Sequence, residues 1–145
     1  MSIPRLEPQQ TALLVIDVQE RLMPTMPHPE ALARGCGAML QRAEALDIPA
    51  LVTEQYPRGL GPTIPSVGEH VTAGTPVIEK TRFSALVPDV DLRLRDLQRS
   101  TVLVCGIEAH ICVLQTVLDL QAAGLQAFVV TDAISAGQPR QIGPA

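Results

Sequence analysis

A chain of 145 residues, 46% hydrophobic and 18% charged, is long enough to bury about 70% of the surface its unfolded form exposes, which excludes a disordered protein and fits a single domain spanning 1–145. The net charge of −4 argues against a basic nucleic-acid surface, and three aromatic residues (Tyr56, Phe83, Phe128) argue against a stacking platform for single strands. No apolar run approaches the ~20 residues of a membrane helix, and Met1–Gln10 is polar with no signal-peptide pattern.

The elements alternate along the chain. Thr11–Asp17 (TALLVID) is a nearly continuous apolar run, the mark of a strand buried on both faces of a parallel sheet. Pro29–Asp47 carries Leu32, Cys36, Met39, Ala43 and Leu46 at helical spacing and predicts an amphipathic helix, weakened by Gly35 and Gly37. Pro49–Thr53 predicts a second strand, Glu54–Gly74 a long Pro- and Gly-rich loop, and Pro76–Glu79 a third strand. Pro88–Arg99 predicts a helix with Leu92 and Leu94–Leu97 inward. Thr101–Gly106 predicts a fourth strand, Ile111–Ala123 a helix closed by Gly124, and Gln126–Thr131 a fifth strand. Strands alternating with helices imply right-handed crossovers and an α/β fold: three layers, αβα, with a parallel Rossmann-like sheet of about five strands. In such sheets chemistry collects beyond the C-terminal strand ends. There the chain places Asp17 and Gln19, Glu54 and Gln55, Glu79 and Lys80, Glu108 and His110, and Asp132.

Three of these regions carry reactive groups. Cys112, in GIEAHICV (Gly106–Val113), falls near the start of the helix after strand four, where free N–H groups and the helix dipole favour an anion and lower a thiol pKa. A buried, inert cysteine is the competing and commoner role, the one assigned to Cys36 and Cys105. Asp17 closes the first strand and is either a desolvated general base or a cap for the following turn. Lys80 is the single lysine among eleven basic residues, and a compact ammonium beside a thiol and a carboxylate is a plausible activator; the alternative is a solvated strand end. His28, His70 and His110 lack metal-site spacing, so no catalytic metal and no cofactor are expected, and His110 is a surface or substrate contact. The odd count of three cysteines without framework spacing points to free thiols and a reducing cytoplasm.

Together, ALLVIDVQ (Ala12–Gln19), EKTRFSA (Glu79–Ala85) and GIEAHICVLQT (Gly106–Thr116) resemble the strand-one, lysine and nucleophile motifs of the isochorismatase-like cysteine hydrolases, the superfamily of nicotinamidases and N-carbamoylsarcosine amidases. TEQYPRGLG (Thr53–Gly61) is most similar to its branch of isochorismatase domain-containing proteins. The resemblance implies an Asp17–Lys80–Cys112 triad, a non-proline cis peptide at Ile107–Glu108, and an oxyanion hole from the backbone N–H groups of Glu108 and Cys112. It implies cleavage of a small amide or carbamoyl-type C–N bond through a thioester, with Gln19, Gln55, Phe83 and His110 as further substrate contacts. The metal-binding D-x-H…H pattern of nicotinamidases is absent from Glu54–Gly74, which offers only His70.

The family pattern continues past Asp132–Ser135 with a helix, a strand and a helix, which Ala136–Ala145 does not supply. Two expectations follow. One is a homo-oligomer, dimer or higher, covering the sheet edge and the Ile111–Ala123 helix. The other is an alternative function: a catalytically weak or inactive member acting as an interaction scaffold. No nucleic-acid or membrane partner is expected beside a small-molecule substrate.

Overall fold

All six residues of β1 (Thr11–Ile16) are buried, as their apolar run requires, because β1 lies in the middle of the sheet. The computed structural model describes residues 5–137 of the chain. After β1 come α1 (Pro29–Ala45), β2 (Ala50–Gln55), two single turns of helix, α2 (Pro57–Leu60) and α3 (Pro65–Gly68), and then β3 (Val77–Lys80). The chain continues with α4 (Pro88–Leu97), β4 (Thr101–Ile107), a π turn at Ala109–Val113, α5 (Leu114–Ala122) and β5 (Gln126–Ser135). The five strands are parallel in the order β3-β2-β1-β4-β5, so the order reverses at β1, the kind of switch point at which sheets of this class bind ligands.

Side-chain alternation divides the core. Leu13, Val15, Val52, Cys105 and Ile107 face α1, packing on Leu32, Ala33, Cys36, Leu40 and Ala43. Ala12, Leu14, Ile16, Val102 and Val104 face the other way, onto Val90 and Leu94 of α4 and Leu120 of α5. The expected three-layer αβα architecture is therefore what the chain adopts. No helix among the described residues is long and apolar enough to cross a membrane.

Several local expectations are corrected. Leu46 is exposed, because α1 ends one residue earlier, and the buried stripe runs through Ala33, Gly37 and Leu40. Gly35 lies where α1 closes on β5: a Cβ there would stand 2.9 Å from the Asp132 carbonyl. Leu92 is exposed, since Val90, Leu94 and Leu97 make the face of α4 that meets the sheet. The Glu54–Gly74 loop contains α2 and α3, each begun by a proline that needs no N–H partner at that position. β5 continues to Ser135, through a register shift opposite Val104 and Gly106. The helix expected from Ile111 begins instead as the π turn, with α5 proper starting at Leu114. Of the patternless tail expected at 136–145, Ala136 is buried, and residues 138–145 lie outside the described residues.

Candidate active site

Asp17 comes directly after the last residue of β1, with φ at 55° in the left-handed region. Asp tolerates that region better than most residues, and such backbone clusters at functional sites. Its Oδ1 accepts the Thr53 hydroxyl at 2.9 Å from the neighbouring strand β2. Its Oδ2 lies 2.8 Å from Lys80 Nζ, with neither side chain exposed.

Lys80 ends β3 and turns inward. Its three protons have three neutral acceptors: Gln55 Oε1 at 2.8 Å, Arg82 O at 2.9 Å and Phe83 O at 2.9 Å. Asp17 Oδ2, at 2.8 Å, is its charged partner. Lys80 Nζ also stands 3.7 Å from Cys112 Sγ. The ends of three strands and the π turn bring together Asp17, Lys80 and Cys112, separated by up to 95 positions in the chain.

The peptide Ile107–Glu108 is cis. Beyond it the Glu108 carbonyl accepts the N–H groups of Ile111 and Val113, each at 3.1 Å, which wraps the turn around Cys112. Cys112 is buried, at 9% exposure. Burial pushes its pKa up to about 11, the Asp17 charge adds to the rise, and Lys80 opposes it. The expected lowering at a helix start is corrected: Cys112 sits inside a π turn facing a carboxylate, and desolvation outweighs the cation. Burial also raises the Asp17 carboxyl above its ordinary value, against the lowering effects of Lys80 and Thr53. A buried carboxyl group paired with Lys80 therefore faces a thiol whose pKa is raised.

The remaining expected site residues divide. Gln55 touches Lys80 through Oε1 and Gln19 through its own N–H. Gln19 is fully buried: its amide donates to the carbonyls of Gln55 and Gly61, both at 2.8 Å, and its Oε1 accepts the Gln55 N–H at 2.7 Å. Both donors are taken by backbone, so Gln19 ties β2 and α2 to the end of β1. Phe83 lends its carbonyl to Lys80 while its ring is 60% exposed, and His110 is exposed. The Glu108 carboxylate accepts the Gly137 N–H at 2.9 Å. Cys36 and Cys105 are core residues; a hydrogen bond between them and burial push the Cys105 thiol well upward. No three His, Cys, Asp or Glu side chains among the described residues cluster as metal ligands. A cleft of about 570 Å³ opens beside the end of β3 between Tyr56, Arg58, Arg82 and Asp89; Lys80 is on its wall, Asp17 and Cys112 are not. Thr53 was not among the candidates, although its place at the end of the strand beside Asp17 is the signal that finds it.

The chain matches the isochorismatase domain over residues 11–141. It belongs to the isochorismatase family. Within that family it is similar to isochorismatase domain-containing protein 2A of Mus musculus, 42% identical over 137 residues, covering 92% of this chain and 64% of the relative. Isochorismatase domain-containing protein 2 of Homo sapiens is 41% identical, with the same shares covered. The chain thus spans less than two thirds of the length of these family members. Among solved structures, one described as the MAR1 ribonuclease of Caenorhabditis elegans superposes with a TM-score of 0.89 at 38% identity, covering 94% of this chain and 70% of that one.

Proposed function

We propose that the protein is a cysteine hydrolase of a small amide or carbamoyl-type C–N bond, with Asp17, Lys80 and Cys112 as its triad. The observation that carries the reading is the buried Asp17–Lys80 ion pair, with the Lys80 ammonium 3.7 Å from the buried Cys112 sulfur. Family membership supports hydrolysis in general terms; the bond type is argued from the thiol, a nucleophile suited to acyl transfer.

Asp17 takes the Cys112 proton as sulfur attacks the substrate carbonyl. The Lys80 ammonium stabilises the developing thiolate. The backbone N–H groups of Glu108 and Cys112 hold the oxyanion. Collapse breaks the C–N bond, and the departing amine takes the proton from Asp17, leaving a thioester. Water then attacks, Asp17 takes its proton, and the thiol leaves reprotonated with release of the acid. A thiol with a pKa of about 11 gives little free thiolate at neutral pH, so proton transfer to Asp17 accompanies the attack. Gln55 and Gln19 position Lys80 and the β1 end; Phe83 and His110 line the approach.

Ammonia release from a panel of small amides tests this. Wild type should turn over at least one of them, and Cys112→Ala should abolish that turnover. Equal rates in both would overturn the reading, and turnover of no amide by wild type would overturn it in favour of the scaffold role. The ribonuclease description of the C. elegans structure motivates a second assay: RNA cleavage that survives Cys112→Ala would favour phosphodiester chemistry at another site. We also propose self-association. Leu114 and Leu118 are exposed one turn apart on α5, with Phe83 and Val129 exposed as well. Sedimentation should find a dimer or larger species; a stable monomer at micromolar concentration would overturn it.

A further inference from the structure

Thr116 lies one turn beyond Cys112, on α5, with no exposed surface. Its hydroxyl donates to the Cys112 carbonyl at 2.6 Å. Such a bond to the carbonyl four residues earlier is common for threonine in helices and by itself says nothing about function. The second bond of the same hydroxyl is different, because it accepts the Ala85 N–H at 2.8 Å from the segment that follows β3. That segment supplies the Arg82 and Phe83 carbonyls to Lys80 Nζ. One buried oxygen thus touches the turn that carries the thiol and the segment that holds the ammonium. A further polar link between these segments is slight: Arg82 and Asp119 stand 3.9 Å apart with largely exposed side chains.

We infer that Thr116 is a positioning residue of the triad, whose hydroxyl holds the Thr81–Ala85 segment against the Cys112 turn and so sets the separation of Lys80 Nζ from Cys112 Sγ. The inference rests on the reading of Asp17, Lys80 and Cys112 as the reacting groups. The charged groups acting on the thiol are Asp17 from β1, which disfavours the thiolate, and Lys80 from β3, which favours it. On the thiol's own segment, the Glu108 carboxylate is occupied by the Gly137 N–H and His110 is exposed. Among the described residues Lys80 is the cation acting on the thiol, and Coulomb attraction weakens as it moves away. Valine at position 116 would keep the shape and remove the hydroxyl that joins the two segments.

The experiment is the second-order rate of Cys112 alkylation by iodoacetamide as a function of pH, on the full chain, with the adduct located by peptide mass. Wild type, Thr116→Val, Thr116→Ser, Lys80→Ala and Thr11→Val are compared, with thermal melts alongside. Thr11 is also buried and donates to the Glu7 carbonyl at 2.7 Å, but at the far end of β1. Thr116→Val should move the midpoint of the profile upward and slow alkylation at neutral pH about threefold to tenfold, since one pKa unit is tenfold in thiolate. Thr116→Ser should restore the wild-type midpoint, and Thr11→Val should leave it in place while lowering the melting temperature. An unmoved midpoint in Thr116→Val, with Lys80→Ala moving it, would overturn the inference and leave the triad standing. An unmoved midpoint in Lys80→Ala would instead overturn the triad reading, and the inference with it. If Thr116→Val does not fold, Thr116→Ala and Thr116→Ser decide: a shift in the first alone supports the inference, and the same profile in both overturns it.

Discussion

Asp17 Oδ2 and Lys80 Nζ meet at 2.8 Å with both side chains shut away from solvent. Such a pair adds little net stability when intact, but removing one partner leaves the other buried and unpaired, at a cost of about 3–5 kcal/mol. Lys80→Ala should therefore lower stability by that order in urea unfolding, and raise the Asp17 carboxyl further by removing the charge that opposes its desolvation.

Lys80→Arg keeps the charge but not the shape. The planar guanidinium is larger than an ammonium already contacted by Asp17, Gln55, two carbonyls and Cys112 Sγ. On any substrate found in the amide panel, this variant should lose about 10²-fold or more in kcat, the scale of a lost acid–base or positioning group. A rate close to wild type would remove Lys80 from the triad.

The thiol pKa of about 11 sets a pH dependence. In the substrate-free protein, Cys112 alkylation should keep climbing through pH 9 toward about 11 and not level off near the ordinary cysteine value. Asp17→Asn removes a charge that raises this pKa, so its profile should shift down; Lys80→Ala removes one that lowers it, so its profile should shift up. The stability linkage has the same sign. A thiol whose folded pKa is raised contributes stability fully present below its unfolded pKa and lost as pH rises through about 11.

Gly106 has φ at 115°, and a Cβ there would fall 2.1 Å from the Ile16 carbonyl oxygen and 2.6 Å from the Ile16 nitrogen. Both are backbone atoms of the strand that ends at Asp17, so no side-chain adjustment relieves the clash. Gly106→Ala should cost about 4 kcal/mol or more, at the exceptional end for single substitutions, and should read out as a large fall in melting temperature.

Gln19→Ala would leave the carbonyls of Gln55 and Gly61 and the Gln55 N–H without their amide partner. These groups are partly buried, so each costs toward the lower end of about 1–3 kcal/mol when left unpartnered, and stability should fall by about 2 kcal/mol. If Gln19 only contacts substrate, KM should rise with the melting temperature unchanged.

The parallel sheet is legible in the chain because burial on both faces forces apolar runs. TALLVI and TVLVCGI carry that pattern, and the helical spacing of α1 and α5 supplies the crossovers. Asp17 and Lys80 stand out as charged residues at strand ends, where a sheet of this class gathers its chemistry, and Cys112 as a thiol one turn beyond the fourth strand. Local pattern also misleads. Leu46 and Leu92 are apolar yet exposed, because which side of a helix meets the sheet depends on where the helix stops and how it is laid down.

The state of the thiol depends on the fold alone. A helix start next to a lone lysine argues for a lowered pKa, and only the assembled site adds the burial and the facing Asp17 carboxylate that reverse the sign. The roles of Thr53, Gln19 and Thr116 belong to the same class. Each acts through a hydrogen bond to a segment distant in sequence or to a neighbouring strand, and residue spacing carries no record of such partners. Apolar periodicity is local and survives in the sequence; desolvation and long-range hydrogen bonds are properties of the packed chain and exist only once the strand ends have converged.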